Sequence, residues 1–330
     1  MIVNIQQLNK NLFEKDVEQI PIRQGFGEGL LLAAKGDERV VGLCADLTDS
    51  TKMNLFRDAY PHRFIQMGVA EQNMAAVASG MAAMGKIPYL SSYAMFSPGR
   101  NWEQIRTTIC YNDRKVIIVG SHAGVSVGPD GGTHQALEDI AITRVIPNID
   151  VVVPCDAIEA RKATLALAIS KGPAYLRLSR EKTPVITTEA SPFALGKVSI
   201  LRKPEHPTLA IIACGPMVYN ALMAAAKLSN KGVEALVINM HTIKPLDQET
   251  ILWAAKTSGA IVTVEEHQRH GGMGSAISEF LVEHCPVPME IMGVDDRFGQ
   301  SGAPEELIKY YGLGVDKIVE RGEKAAARLR

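Results

Sequence analysis

Two parallel-sheet α/β domains are the fold the sequence predicts, and three observations predict it. Apolar runs of strand length alternate with segments of helical period from about residue 20 to residue 181. Between 182 and 196 the alternation breaks at Thr183-Pro184, Thr187-Thr188 and Ser191-Pro192, which reads as a linker. A second alternating series then runs over 197–330. Alternation of this kind means strands buried on both faces by crossover helices.

Taken in order, residues 1–19 are polar with sparse apolar positions and read as an arm or a surface helix. Arg23-Gln24-Gly25-Phe26-Gly27 leads into a helix, and Val40-Val41-Gly42-Leu43-Cys44 is the first buried strand, ending in the polar loop Asp46-Leu47-Thr48-Asp49-Ser50. A short strand at 64–66 runs into an Ala-, Met- and Gly-rich helix from Glu71 to about Met84. Strands are expected at 87–92, 116–120, 150–153 and 174–178, with helices at 102–111 and 157–170. In the second series the strands fall at 208–213, 234–239, 260–265 and 289–292. Helices at 217–228, 246–255 and 275–284 separate them, and a charged helix closes the chain near Arg330.

Length and composition bound the function. A chain of 330 residues accommodates two domains with separate cores. Thirty-five Lys and Arg against 36 Asp and Glu leave a formal charge of −1, so no basic excess points to nucleic acid or an anionic membrane. No apolar run reaches membrane-spanning length, and the N-terminus reads as neither a signal nor a transit peptide. The five cysteines are scattered without CxxC or metal-ligand spacing, which suits reduced thiols in the cytoplasm.

Glu71 sits at a strand-to-helix joint, the carboxyl edge of a parallel sheet, where ligands bind and where the first helical turn favours a carboxylate. Among apolar neighbours such a carboxyl stays competent to donate a proton or a strong hydrogen bond near neutral pH. The small residues Ala75, Ala76, Ala78, Gly80, Ala82 and Ala83 behind it let a second helix approach closely, so self-association through this helix is expected. Between the strands at 116–120 and 150–153 lies a glycine-rich excursion, Ser121 to Gln135, that carries His122, Asp130 and His134. Two histidines and an aspartate in one sheet-edge loop can converge on one ligand opposite Glu71 and Asp46. Gly271-Gly272-Met273-Gly274 before a helix reads as tight packing rather than a phosphate loop, and His267 with His270 lacks a third metal ligand.

Five motifs together resemble the second half of transketolase, the thiamine diphosphate enzyme that moves two-carbon ketol units between sugar phosphates. Ala45-Asp46-Leu47-Thr48-Asp49-Ser50 resembles A-D-L-T-x-S, and Gly68-Val69-Ala70-Glu71 resembles G-[IV]-x-E. Asp130-Gly131-Gly132-Thr133-His134-Gln135 resembles D-G-P-T-H-Q, with Gly132 in the place of proline. Leu178-Ser179-Arg180 resembles L-S-R, and Val264-Glu265-Glu266-His267 with Gly271-Gly272-Met273-Gly274-Ser275 resembles a stretch of the family's C-terminal domain. The resemblance covers about residue 20 onward. It implies a pyrimidine-binding domain over 20–181 and a transketolase C-terminal domain over 197–330.

The resemblance also implies roles. Glu71 matches the glutamate that hydrogen-bonds the cofactor's pyrimidine, favouring the tautomer that takes the proton from the thiazolium carbon. Tyr93 and Phe96 match aromatics that pack on the pyrimidine, worth about 0.5–1.5 kcal/mol per ring pair beyond area. Asp46 and Val69 match residues beside the cofactor. Arg23, Ser50 and Arg180 match positions that hold the substrate phosphate, where each charge-assisted bond contributes about 1.5–3 kcal/mol. His122, Asp130 and His134 match residues that meet the sugar hydroxyls and the donor's carbonyl end.

The G-D-G motif that begins the family's Mg²⁺-diphosphate site is not found in this sequence; Gly36-Asp37-Glu38 is the nearest run. The resemblance therefore implies one subunit of a split transketolase of the pentose phosphate pathway. A partner chain would supply Mg²⁺ and the diphosphate domain, with two copies of each chain in a heterotetramer built on a dimer of this one. Alternatives are the β subunit of a 2-oxoacid dehydrogenase E1, a 1-deoxyxylulose-5-phosphate synthase-like chain, or, outside enzymes, a non-catalytic regulatory subunit. His122, the D-G-x-T-H-Q run and Arg180 favour the sugar phosphate.

Overall fold

The computed structural model describes residues 7–329. Its strands are β1 (Gln19–Pro21), β2 (Val40–Cys44), β3 (Phe64–Gln66), β4 (Ile87–Tyr93), β5 (Ile117–Ser121), β6 (Asp150–Val152) and β7 (Ala174–Arg177). Then follow β8 (Lys182–Pro184), β9 (Ser199–Arg202), β10 (Leu209–Ala213), β11 (Ala235–Asn239), β12 (Thr242–Lys244), β13 (Ile261–Gln268) and β14 (Met289–Val294). Seven of them form one sheet in the order β12-β6-β7-β5-β4-β2-β3, and five form a second in the order β14-β13-β10-β11-β9. All pairs in both sheets are parallel except the edge strands β12 on β6 and β9 on β11. The two-domain, parallel α/β class expected from the alternation is the class observed.

Apolar side chains from both sheets share one core. Leu43, Leu90, Ile118 and Val151 of the larger sheet pack in the same cluster as Ile212, Ile238, Ile243, Ile251 and Phe280 of the second half. Continuous apolar strands such as Val116 to Val119 have no outward face, which is why they sit at the centre of the larger sheet. Among the described residues, no helix is long and apolar enough to cross a membrane.

Three features depart from the expected layout. The segment read as an arm or surface helix has no helix over its described residues 7–17; Leu8, Leu12 and Val17 are buried, and Asn9 N donates to Ile186 O at 2.9 Å. Residues 1–6 lie outside the described residues. The stretch read as a linker begins with β8, which pairs antiparallel with β1, and it buries Val185, Ile186 and Thr187. Asp156 anchors it, accepting from Ile186 N at 2.8 Å and from Thr187 N at 2.6 Å. Turn residues in this stretch therefore mark a packed strap, held by side-chain caps that a turn-propensity reading does not see. Third, the segment 102–111 is a helix, but Ile105–Cys110 winds with π geometry. Thr107 Oγ1 and Thr108 Oγ1 bond back to the carbonyls of Glu103 and Gln104 at 2.9 and 2.6 Å, competing with the α ladder.

The helix Ile22–Gly36 packs on the helix Ala157–Ile169 through its glycines. A Cβ at Gly25 would lie 1.8 Å from the Ala157 carbonyl oxygen. Gly25→Ala is therefore expected to lower stability by about 1–3 kcal/mol, because the backbone clash outweighs the roughly 1 kcal/mol gained in helix propensity. A urea midpoint equal to or above that of the parent chain would refute this.

Candidate active site

The carboxyl edge of the larger sheet gathers nearly all the candidate residues. Asp46 and Ser50 follow β2, Val69 and Glu71 follow β3, and Tyr93 ends β4 with Phe96 just beyond. His122, Asp130 and His134 follow β5, and Arg180 follows β7. The chain runs from β2 outward to β3 and then returns past β2 to lay down β4 on the other side. That reversal is a topological switch point, where open parallel sheets form a ligand crevice.

Glu71 is the first residue of the helix Glu71–Ala83 and is 3% exposed. It does not stand among apolar neighbours alone. Arg100 Nη1 donates to both of its carboxylate oxygens, at 3.3 and 3.4 Å, and the guanidinium lies 4.3 Å over the Phe96 ring. Asn101 Nδ2 donates to the Glu71 carbonyl at 3.1 Å and to Ser97 Oγ at 3.1 Å, fixing the Ser97-to-Asn101 turn against the helix start. Sequence reasoning missed Arg100 and Asn101, which lie beyond the aromatic pair in a run with no strand or helix periodicity. The signal that could have found them is a cation four residues from an aromatic of the pair, on the turn that faces Glu71.

Four rings form the floor. His122 stacks on Tyr93 with centroids 3.8 Å apart, Phe96 lies 6.1 Å from Tyr93, and His134 meets Phe96 edge-on at 5.4 Å. The structure thus joins His122, His134, Tyr93 and Phe96, with His122 on a face of Tyr93. His122 is 2% exposed, takes φ +57°, and shares a 2.8 Å hydrogen bond between Nδ1 and Ser121 Oγ. His134 Nδ1 lies 2.9 Å from Thr133 Oγ1. Gly132, where the motif has proline, passes so close to the segment before Pro304 that a Cβ would lie 2.6 Å from the Gly299 carbonyl.

Burial pushes the His122 imidazole down to about 3, and the nearby Arg23 and Arg180 guanidinium groups and His134 act in the same direction. It is neutral at physiological pH and offers one donor and one acceptor. Its depressed value also couples to stability. Between about pH 6.5 and 3 the unfolded chain binds a proton that the folded chain refuses, so stability falls as pH drops through that window. The slope for one proton reaches about 1.4 kcal/mol per pH unit, and His122→Gln is expected to flatten the acid limb by that amount. An NMR titration that protonates the His122 ring above pH 5 would contradict this.

Arg23, Ser50 and Arg180 meet through the backbone. Arg23 Nη1 donates to the Ser50 carbonyl, and its Nε donates to the Arg180 carbonyl at 3.0 Å. Arg180 Nη1 donates to Val127 O at 2.6 Å and lies 3.8 Å from Asp130. Two guanidinium groups therefore stand beside His122, and burial together with Arg180 lowers Arg23 from its ordinary value. Asp46 and Val69 are not drawn into this cluster by side-chain bonds. Asp46 is exposed with φ +59°, its backbone N bonded to Gln66 Oε1 at 2.8 Å, and Val69 is 70% exposed.

A buried network ties the loop after β5 to the second half. Arg177 Nε donates to Asp139 at 2.7 Å, and the Tyr175 hydroxyl donates to the same oxygen at 2.6 Å. Arg177 Nη2 reaches the Glu266 carbonyl at 2.8 Å, while the Glu266 carboxylate accepts from Ser126 N. Beyond it, Glu265 accepts from Met273 N at 2.7 Å and Gly274 N at 2.9 Å, so the glycine run caps a helix with the chain's own carboxylate. His267 Nδ1 donates to the Gln268 carbonyl at 2.7 Å, and its Nε2 accepts from Ala141 N at 3.3 Å. Among the described residues, no group of three or more His, Cys, Asp or Glu could hold a metal ion.

Comparison with known proteins agrees with this layout. Residues 18–185 match the family described as transketolase, pyrimidine binding domain, and residues 196–318 match transketolase, C-terminal domain. The chain is 40% identical over 316 residues to the 6-deoxy-6-sulfo-D-fructose transketolase subunit of a Clostridium species, covering 96% of this chain and 98% of that one. It is 37% identical over 300 residues to an apulose-4-phosphate transketolase subunit of Phocaeicola vulgatus, covering 91% and 95%. A solved structure described as a split gene transketolase, inactive beta4 tetramer, superposes with a TM-score of 0.87 at 40% identity, covering 94% of this chain and all of that one. The chain with Glu71 at its sheet edge therefore belongs to the transketolase family, as a subunit made of its pyrimidine-binding and C-terminal domains.

Proposed function

We propose that the chain is the C-terminal subunit of a split transketolase, transferring two-carbon ketol units from ketose phosphates to aldose phosphates in complex with a diphosphate-binding partner. One observation carries this reading. A buried carboxylate, an aromatic floor and a pair of guanidinium groups stand along a single sheet edge, in the order an aminopyrimidine and a phosphorylated sugar would need.

The residues fit the pyrimidine half of thiamine diphosphate. Glu71 is buried, its side-chain partner is a half-exposed arginine, and Phe96 offers an aromatic face beside it. When bound, the cofactor supplies the carbon centre that carries the ketol unit between sugars. Glu71 would hold a hydrogen bond to the pyrimidine ring and manage its proton. Neutral His122 would donate to and accept from sugar hydroxyls, and His134 would meet the donor's oxygen. Arg23, which bridges the carbonyls of Ser50 and Arg180, would bind the terminal phosphate together with those two residues, and Asp130 would orient a hydroxyl. Asp46 and Val69, exposed in the single chain, would be covered by cofactor and partner.

Mg²⁺ and its ligands belong to the partner in this reading. The subunit names of two relatives, and the inactive β4 assembly of a third, support a chain that self-associates yet needs a second subunit. The outward positions Ala76, Gly80 and Ala83 of the helix Glu71–Ala83, flanked by exposed Val69 and Met84, suit close helix contact at that interface. Two copies of each chain in a heterotetramer follow. Five unpaired thiols suit the cytoplasm. The matches are to transketolases, which disfavours an E1 β subunit.

Co-expression with a chain carrying G-D-G, followed by assay of two-carbon transfer between a ketose phosphate and an aldose phosphate, tests the proposal. The pair is expected to turn over and the single chain with thiamine diphosphate and Mg²⁺ to be inactive. Full turnover by the single chain would remove the partner, and decarboxylation of a 2-oxoacid without ketol transfer would remove the transketolase reading.

A further inference from the structure

We propose that Arg100 is a placeholder for the cofactor's aminopyrimidine, occupying its two contacts until the ring arrives. The inference rests on the cofactor reading above and deepens it. The reading asks the pyrimidine to hydrogen-bond Glu71 and to lie on an aromatic face. Arg100 makes both contacts now: Nη1 bonds the two Glu71 oxygens at 3.3 and 3.4 Å, and its guanidinium carbon lies 4.3 Å over the Phe96 ring. A planar, hydrogen-bonding cation imitates a planar, hydrogen-bonding heterocycle. The other ring is partly occupied, because His122 stacks on Tyr93 at 3.8 Å.

The surroundings suit a group that leaves. Glu71 is 4% exposed at its side chain, so without a partner it would be a buried, unpaired charge. The Arg100 side chain is 52% exposed, so it returns to water at little cost. Its backbone stays in place, since Asn101 is buried and bonded to the Glu71 carbonyl and to Ser97. The side chain can therefore swing away while the turn that frames the site remains. Cofactor binding then competes with an internal ligand, which weakens capture of the ring by the single chain and keeps the half-site satisfied before assembly.

Calorimetric titration of thiamine diphosphate with Mg²⁺ into the reconstituted pair tests this, with the parent chain, Arg100→Met and Glu71→Gln as single and double variants. Arg100→Met is expected to bind at least fivefold more tightly than the parent. In the Glu71→Gln background the same substitution is expected to change affinity less than twofold, because the contact it relieves is already lost. Equal or weaker binding by Arg100→Met, in a variant whose urea midpoint matches the parent, overturns the placeholder and leaves the cofactor reading standing. Absence of binding by the parent pair and by Arg100→Met overturns both.

Discussion

Glu71→Ala in the reconstituted pair is expected to lower kcat about 10²–10⁴-fold, the range general acid–base catalysis contributes. Glu71 opens its helix, its carboxylate is buried, and the turn bearing Asn101 fixes the backbone beneath it. Alanine removes the acidic group beside the Phe96 platform while leaving a good helix former in place. Fold and assembly should therefore survive, and a sedimentation profile identical to that of the parent would show that they do. Glu71→Gln keeps a hydrogen-bonding oxygen but cannot carry the proton, so it should lie close to Ala in kcat and closer to the parent in cofactor affinity. A rate within twofold of the parent would sink the catalytic reading and favour a subunit that only scaffolds its partner.

Arg177→Met is expected to lower stability by about 3–5 kcal/mol, the cost of breaking a buried ion pair by removing one partner. Arg177 and Asp139 side chains are 3% and 1% exposed. The substitution would strand the Asp139 carboxylate and remove the guanidinium that donates to the carbonyls of Ala136 and Glu266. Since Glu266 also holds Ser126, the loop carrying His122 and His134 should loosen together with the join between the two halves. Chemical denaturation gives the first number, and protease sensitivity near Ser126 reports the second. A loss under 1 kcal/mol would mean that the network is ornamental. Replacing Asp139 and Arg177 together by apolar residues should cost much less than either alone, which separates the stranded charge from the pair's own worth.

Much of the fold was legible because its information is local. Runs such as Val116 to Val119 and Leu209 to Ala213 have one stable destination, the middle of a parallel sheet. The antiparallel edges and the small outlying pair were not legible, whereas the parallel edges β3 and β14 were. β1, β8, β9 and β12 are short segments with no periodicity of their own: β9 and β12 exist because a distant strand presents an open edge, and β1 and β8 because they find each other across the chain. Part of the candidate site was legible because sheet order brings loop after loop to one edge: Glu71, Tyr93, His122 and Arg180 each follow or end a strand of the larger sheet. The contacts within it were not. Its spacing from Phe96 marks Arg100 as a cation near the aromatic pair but does not tell that the guanidinium reaches back to Glu71, and the Asp139–Arg177 bond joins residues 38 positions apart. Such pairs are decided by which strand ends the sheet sets side by side, not by neighbours along the chain.

β12 belongs by sequence to the second half and by hydrogen bonding to the first sheet, where it covers the outer edge of β6. Lys244 Nζ reinforces the crossing by donating to the Arg144 carbonyl at 3.0 Å. Cutting the polypeptide at its apparent seam would thus unzip a strand and bare a template for runaway stacking of copies. Each half would part with a strand partner that only the other supplies, β6 losing β12 and β12 losing β6.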